Sequence, residues 1–323
     1  MGKYIFKRVV NLAVLFVGIT AISFAVIKLA PGSPAGIYAF NAKAKADVSK
    51  RIEKLYGLDK PLWAQYGIWF KNILRLDFGT SLTDGRKVID KIKERVPITL
   101  GINLVVMFII FTVSIPLGML AGYRRGGFFD RFTTVLVFAG FAAPSFWLAL
   151  LLMEYFGVKL GWFPISGLVS VDFDYFTLPQ KVFDIARHLV LPVFVASFGS
   201  LAGLSRYSRS KTIETTRANY IRAALSKGLP LKIIIYRHIL KGVMLPVITI
   251  LGLSLPGLLG GSVIFETVFS IPGMGLLFYE AVMMRDYTLI MGLLVISAVL
   301  TLLGNLLADL LYAWADPRIR YSK

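Results

Sequence analysis

Apolar residues in this chain gather into long uninterrupted runs separated by short, mostly basic segments. Six runs contain no Asp, Glu, Lys or Arg: 9–27, 96–123, 132–153, 188–205, 242–265 and 287–308, which hold 19, 28, 22, 18, 24 and 22 residues. A helix rising 1.5 Å per residue needs about 20 apolar residues to cross a bilayer core, so each run predicts one spanning helix. The shorter charge-free pieces 29–42 and 160–171 carry Pro and Gly, fall below spanning length, and predict loop or interfacial segments. Pro116, Pro144, Pro192, Pro246 and Pro256 lie inside the runs, with Gly257, Gly260 and Gly261 following in the fifth. Such residues permit either ordinary kinked packing or a moving gate, and both readings stay open.

The basic residues give the predicted spans a direction. Short Lys/Arg-rich loops resist translocation, whereas loops beyond about 60 residues obey the rule poorly. Lys3, Lys7 and Arg8, the three arginines of 124–131, nine Lys/Arg in 206–241, and Arg318, Arg320 and Lys323 all fall on one side. The opposite short loops hold four, Lys159, Lys181, Arg187 and Arg285. The other 14 sit in the 68-residue segment 28–95, which the rule exempts. Both termini are therefore expected in the cytoplasm. A cleavable signal peptide is the alternative for the first run, but 19 apolar residues exceed the usual core of about 7–15, and Pro31 stands where cleavage would be awkward.

Composition agrees. The 323 residues are 56% hydrophobic and 17% charged, with mean hydropathy +0.70, more apolar surface than one soluble core of this length needs to bury. The net charge of +18 is largely used in setting topology, so a nucleic-acid partner is not expected. The absence of cysteine excludes disulfides, thiol nucleophiles and Cys-ligated metals, and His188 and His238 alone leave little for metal chemistry. No phosphate-binding Gly-x4-Gly-Lys-Ser/Thr loop, His-Glu-x-x-His or Gly-x-Ser-x-Gly motif occurs, so catalysis by this chain is not expected. The runs also lack the mid-membrane carboxylates typical of ion-coupled carriers, although unwound backbone could coordinate ions. Asn103, His188 and Asn305 could bond between helices or line a path.

The chain divides into a tail and first span (1–30), an outer loop or cap (31–95), and a core of five spans (96–323). In the cap, Pro61 marks a helix start and Asp77 with Gly79 a stop; Trp63, Tyr66, Trp69 and Phe70 suit either packing on the spans or contact with an external partner. The basic loop 206–241 is too long for a turn. Residues 212–227 read as an amphipathic helix, Gly228-Leu229-Pro230 as a break, and 231–244 as a second helix running into span five. The small Ala223 and Ala224 would let this elbow dock closely on another protein, or the whole could lie on an anionic membrane surface. Small and polar residues in span five make Ser254, Gly257 and Ser262 the candidate path residues, with helix packing the alternative.

The run Asn219-Tyr220-Ile221-Arg222-Ala223-Ala224-Leu225-Ser226-Lys227-Gly228, followed by Arg237-His238 and Leu245-Pro246, resembles the EAA loop of binding-protein-dependent ABC importer permeases. Tyr56-Gly57-Leu58-Asp59-Lys60-Pro61-Leu62, Asp77-Phe78-Gly79-Thr80-Ser81, Glu266 through Gly275, Arg285-Asp286-Tyr287 and Asp316 through Tyr321 are similar to the dipeptide/oligopeptide branch, B-type subunit, across essentially the whole chain. Arg222 stands where the general motif has an acidic residue, a replacement usual in the peptide branch. The resemblance implies an all-α membrane protein with six transmembrane helices of the type I importer permease kind, in the cytoplasmic membrane of a prokaryote. It implies a second permease, usually a different chain, two separate ATPases that use ATP and Mg, and an external substrate-binding protein. No cofactor would be bound by this chain. Tyr220, Arg222, Ala223, Ala224, Lys227, Gly228 and Leu229 would form the ATPase-coupling loop, with Leu245 and Pro246 at its exit to span five. Peptides are the implied cargo; nickel chelates, glutathione and oligosaccharides are the alternatives within the family, and an ion-coupled secondary transporter the alternative outside it.

Overall fold

An apolar run becomes one straight helix only where every backbone N–H finds its carbonyl, and the six runs differ in this respect. The computed structural model describes residues 2–29, 60–258 and 260–315, and within them the chain is all α-helical apart from turns and a single antiparallel bridge between Thr80 and Lys87. The expected segments 31–59 of the cap and 316–321 of the tail lie outside the described residues.

Four runs form single helices long and apolar enough to cross a bilayer: α1 (Gly2–Leu29), α3 (Val88–Tyr123), α6 (Leu178–Thr216) and α11 (Tyr287–Ala315). Helix α2 (Leu62–Leu74) is the cap helix; its first turn is accepted by the Pro61 carbonyl, bonded by Ala64 N at 2.9 Å and Gln65 N at 3.1 Å. It packs on α1 through Tyr66, whose hydroxyl lies 3.1 Å from that of Thr20, and through rings of Trp69 and Phe70 against Phe24 and Phe16, while Trp63 stays exposed.

Two runs depart from the expectation of one helix each. The third splits into α4 (Phe128–Ala142) and α5 (Ser145–Leu152, continued by the π-helical Met153–Lys159), bent by 103°. Pro144 has no N–H and its ring disfavours the helical region for Ala143, which is extended at φ −84°, ψ 123°. The fifth begins with the helical turn Leu231–Ile233 and the π-helical Ile234–Ile239, continues as α8 (Leu240–Ser254), and tightens to 3₁₀ over Leu255–Leu258. It then breaks before α9 (Val263–Val268) and α10 (Met274–Met283). Pro256 removes a donor and Gly261 turns the chain at φ +63°, so the expectation of a helix reaching residue 265 is corrected. The elbow is corrected too: residues 212–216 end α6, and the separate helix α7 covers Asn219–Ser226 alone.

The centre of the fold is the crossing of α3 and α6. Gly118 and Gly122, one turn apart, face α6 so closely that a Cβ on Gly118 would lie 2.3 Å from the Ser205 carbonyl oxygen, and one on Gly122 2.7 Å from that of Arg209. Backbone contact at this crossing gains dispersion that a side chain would prevent.

Candidate translocation groove and coupling elbow

Three helices leave a groove between them. Asn103, Val106, Met107, Ile110 and Phe111 of α3, Ser200, Gly203, Leu204 and Tyr207 of α6, and Ile250, Ser254, Gly257 and Leu258 of the α8 segment line an open cavity of about 510 Å³. Its wall carries no formal charge. Asn103 donates to the Leu258 carbonyl at 2.8 Å and so ties α3 to the 3₁₀ turn. Ser254 and Gly257 therefore stand on the cavity wall, although the Ser254 hydroxyl gives its proton to the Leu251 carbonyl at 2.8 Å. Ser262 does not line it. Beyond the glycine break, it caps α9 by accepting from Phe265 N at 3.4 Å. Of the other polar residues, His188 Nδ1 faces the Asp184 carbonyl at 2.9 Å within its own helix, and Asn305 is exposed.

At one end of the groove α6 turns over into α7 and returns into α8. The turn after α7 is a Schellman cap: Leu229 N donates to the Ala224 carbonyl at 3.3 Å and Gly228 N to that of Leu225 at 2.9 Å, with Gly228 at φ +72°. Pro230 follows, its carbonyl accepting from Ile233 N at 2.9 Å. Ile221 and Ala224 are buried against Ile234, Ile239 and Val243. Ala224 is thus small for packing within this chain, and of the two alanines only Ala223 faces outward. Tyr220, Arg222, Ala223, Leu225, Lys227, Gly228 and Leu229 are exposed, continued by Ile233 and Tyr236. A face that mixes large apolar and basic side chains on a rigid turn has the composition of a docking surface. Leu245 and Pro246 fall inside α8, not at its edge.

The opposite end is held by two buried carboxylates. Glu266 lies at the N-terminus of α10, accepting from Gly275 N at 2.7 Å and Leu276 N at 3.0 Å through one oxygen, and from Thr99 Oγ1 at 3.2 Å and Ser262 N at 3.3 Å through the other. Gly273 is obligatory here, since a Cβ would meet that carboxylate at 2.4 Å. Asp286 has no exposed surface. Its Oδ2 accepts from Ser81 Oγ at 2.5 Å and Leu82 N at 3.1 Å, while Oδ1 caps α11 through Leu289 N at 3.0 Å. Beside it Lys91 holds the Asp84 carboxyl down at about 2. Sequence reasoning noted these motifs and missed their pairing. A lone acid bordering a charge-free run was the available signal, but its partner is some 200 residues away in sequence.

Residues 114–321 match the family described as binding-protein-dependent transport system inner membrane component, and residues 1–103 match the N-terminal family of the same systems. The oligopeptide transport system permease protein AppB of Bacillus subtilis (strain 168) is 41% identical over 99% of this chain and 100% of its own length. The di/tripeptide transport system permease protein DppB of Pseudomonas aeruginosa (strain UCBPP-PA14) is 34% identical over the whole of both chains, and the dipeptide permease DppB of Alkalihalophilus pseudofirmus is 32% identical over 99% of this chain. A multi-pass helical chain with an open groove and a projecting elbow, matched end to end, belongs to the family of binding-protein-dependent transport system inner membrane components, the permease subunits of ABC importers.

Proposed function

We propose that the chain forms one half of an ATP-driven import path for peptides, di- to oligopeptides in size. The observation that carries this reading is the groove: it is walled by three helices, and two of them, α6 and α8, lead directly into the exposed elbow. A groove open along one side is completed by a second permease. Its uncharged lining suits a cargo that varies in side-chain charge but always carries amides. One of the two ATPases would seat on the elbow face around Tyr220, Arg222, Ala223, Lys227 and Leu229, and the other on the second permease. Both termini and the elbow then lie in the cytoplasm, the chain sits in the cytoplasmic membrane, and an external binding protein delivers cargo to the end held by Glu266 and Asp286. ATP and Mg bind the ATPases; this chain supplies geometry, because packed helices switch between discrete arrangements when a neighbour moves.

The test is reconstitution of the chain with its co-purifying partners in vesicles, with a labelled tripeptide loaded on the binding protein. Uptake that requires both ATP and the binding protein, and that glutathione, nickel chelate and oligosaccharide fail to compete, is expected. Uptake by this chain alone under an ion gradient would reject the importer, and competition by only one of the other solutes would reassign the cargo.

A further inference from the structure

A second cavity, of about 210 Å³, lies at the elbow end of the bundle, away from the groove, between α3, α4 and α6. Ala121, Val137 and Phe138 form its apolar wall, and Arg206 and Arg209 its charged one. Ser205, Thr133 and Thr134 also line it; the two threonine hydroxyl protons go to the Phe129 and Asp130 carbonyls at 2.9 and 2.7 Å, and the guanidiniums are its charged donors. Arg209 is fixed: its Nε and Nη2 bond the two oxygens of Asp130 at 2.5 and 2.8 Å, and Asp130 is anchored in turn by Gly126 N at 2.9 Å. Nη1 of Arg209 is left without a partner among the described residues. Arg206 is exposed and makes no hydrogen bond or ion pair among them. Arg125 adds its positive charge near Asp130, so the aspartate is outweighed by Arg209 and Arg125, with Arg206 on the cavity wall. Outside, α4 presents Phe132, Val135 and Phe138 as an exposed apolar strip.

We propose that this cavity holds the phosphate of an anionic phospholipid headgroup, with the acyl chains lying along the α4 strip. Its depth fits, because the apolar run of α6 ends at Ser205 and that of α4 begins at Phe132, so the cavity sits where hydrocarbon gives way to headgroups. Size fits as well: drug-sized ligands occupy about 300–1,000 Å³, so this smaller space takes a phosphodiester while the rest of the lipid lies outside it. Charge selects among lipids, since the Arg206 guanidinium can match two phosphate oxygens in a fork while Arg209 adds its Nη1, and the uncompensated arginine charge disfavours a headgroup carrying its own ammonium. An immobilised Arg209 makes the site preformed.

The test uses the assembled transporter purified in mild detergent, stripped of lipid and titrated by native mass spectrometry. Probes are phosphatidylglycerol, phosphatidylethanolamine with the same chains, and inorganic phosphate. Phosphatidylglycerol is expected to bind roughly tenfold tighter than phosphatidylethanolamine, and Arg206→Gln to lose about tenfold of that affinity, Arg206→Lys a smaller part of it through loss of the fork, and Lys241→Gln, outside the cavity, none of it. Millimolar phosphate is expected not to displace the lipid. Unchanged affinity in Arg206→Gln, or an equal loss in Lys241→Gln, would overturn the site. Displacement by phosphate would overturn the lipid and assign a soluble anion. Because no transport is measured, failure of peptide import would leave this result standing.

Discussion

Asp286 offers the sharpest test of how the end opposite the elbow is held. Replacing it with Ala removes the N-cap of α11, a change that costs about 1 kcal/mol, and strips the Ser81 hydroxyl and Leu82 amide of their charged acceptor. Hydrogen bonds to a charged group contribute about 1.5–3 kcal/mol each, and with Asp286 fully buried no water takes its place. The long contact from Thr83 at 3.3 Å adds little. The sum is about 4–7 kcal/mol, which at about 1.4 kcal/mol per decade is roughly a thousandfold or more in a local opening equilibrium. Asp286→Asn keeps the shape and one oxygen for Ser81 and Leu82 but turns an NH₂ toward the Leu289 amide, so it loses about one bond, 1–3 kcal/mol. Hydrogen exchange on the purified complex reads this directly. Protection of Leu82 and Leu289 is expected to fall from wild type to Asn to Ala, with the elbow amides unaffected. Wild-type protection of Leu82 in Asp286→Ala would show that the loop is held by something other than this carboxylate.

Gly118→Ala and Gly122→Ala each drive a Cβ into backbone of α6 and are expected to lower the melting temperature of the complex, by overpacking worth about 1–3 kcal/mol, whereas Gly101→Ala, where nothing lies within 4 Å, is expected to be neutral or stabilising. Equal melting of all three would refute the close crossing. Gly228→Val forces a β-branched residue to φ +72° and is expected to lose uptake with the chain still inserted, while Gly228→Asn retains most of it; equal uptake by the two would show that the left-handed cap is dispensable. Breaking the Asp130–Arg209 pair by Asp130→Asn leaves a half-buried guanidinium uncompensated, and the double variant with Arg209→Gln is expected to recover part of the lost stability in a double-mutant cycle. Strict additivity would mean that the pair contributes no coupling.

Much of the fold was legible because bilayers impose one strong rule, a minimum apolar length, and 96–123, 188–205 and 287–308 obey it as single helices. Helix ends were less legible. Nothing in the apolar count says that α6 runs on to Thr216, since continuation in water depends on Ser208, Thr212 and Thr215 packing against neighbours. The break after Ser254 was half visible: Pro256 and the glycines were noted, but whether such residues kink or interrupt a helix depends on whether neighbours satisfy the freed groups, as Asn103 does for Leu258. At the elbow, Gly228 and Pro230 announced the turn through their own backbone chemistry. The inward face of Ala224 did not, because alanine suits close packing toward either side.

Helix continuity and helix interruption together decide how motion at the elbow would spread. From Tyr207 on the groove wall to Thr216 at the turn, α6 is unbroken, about 14 Å at 1.5 Å per residue, so a push on α7 would reach the groove as a rigid displacement. The return path is softer, because the π-helical Ile234–Ile239 has a wider, less regular ladder than the α8 turns that follow. Past the groove the chain is interrupted at Gly260 and Gly261, and α9 and α10 are held by Glu266 to Thr99 of α3, not to α8. A displacement of α8 would therefore be absorbed at the glycines, and the end opposite the elbow would follow α3. The wall formed by α8 can then move relative to the one formed by α3, changing the groove's width while both buried carboxylates keep their partners.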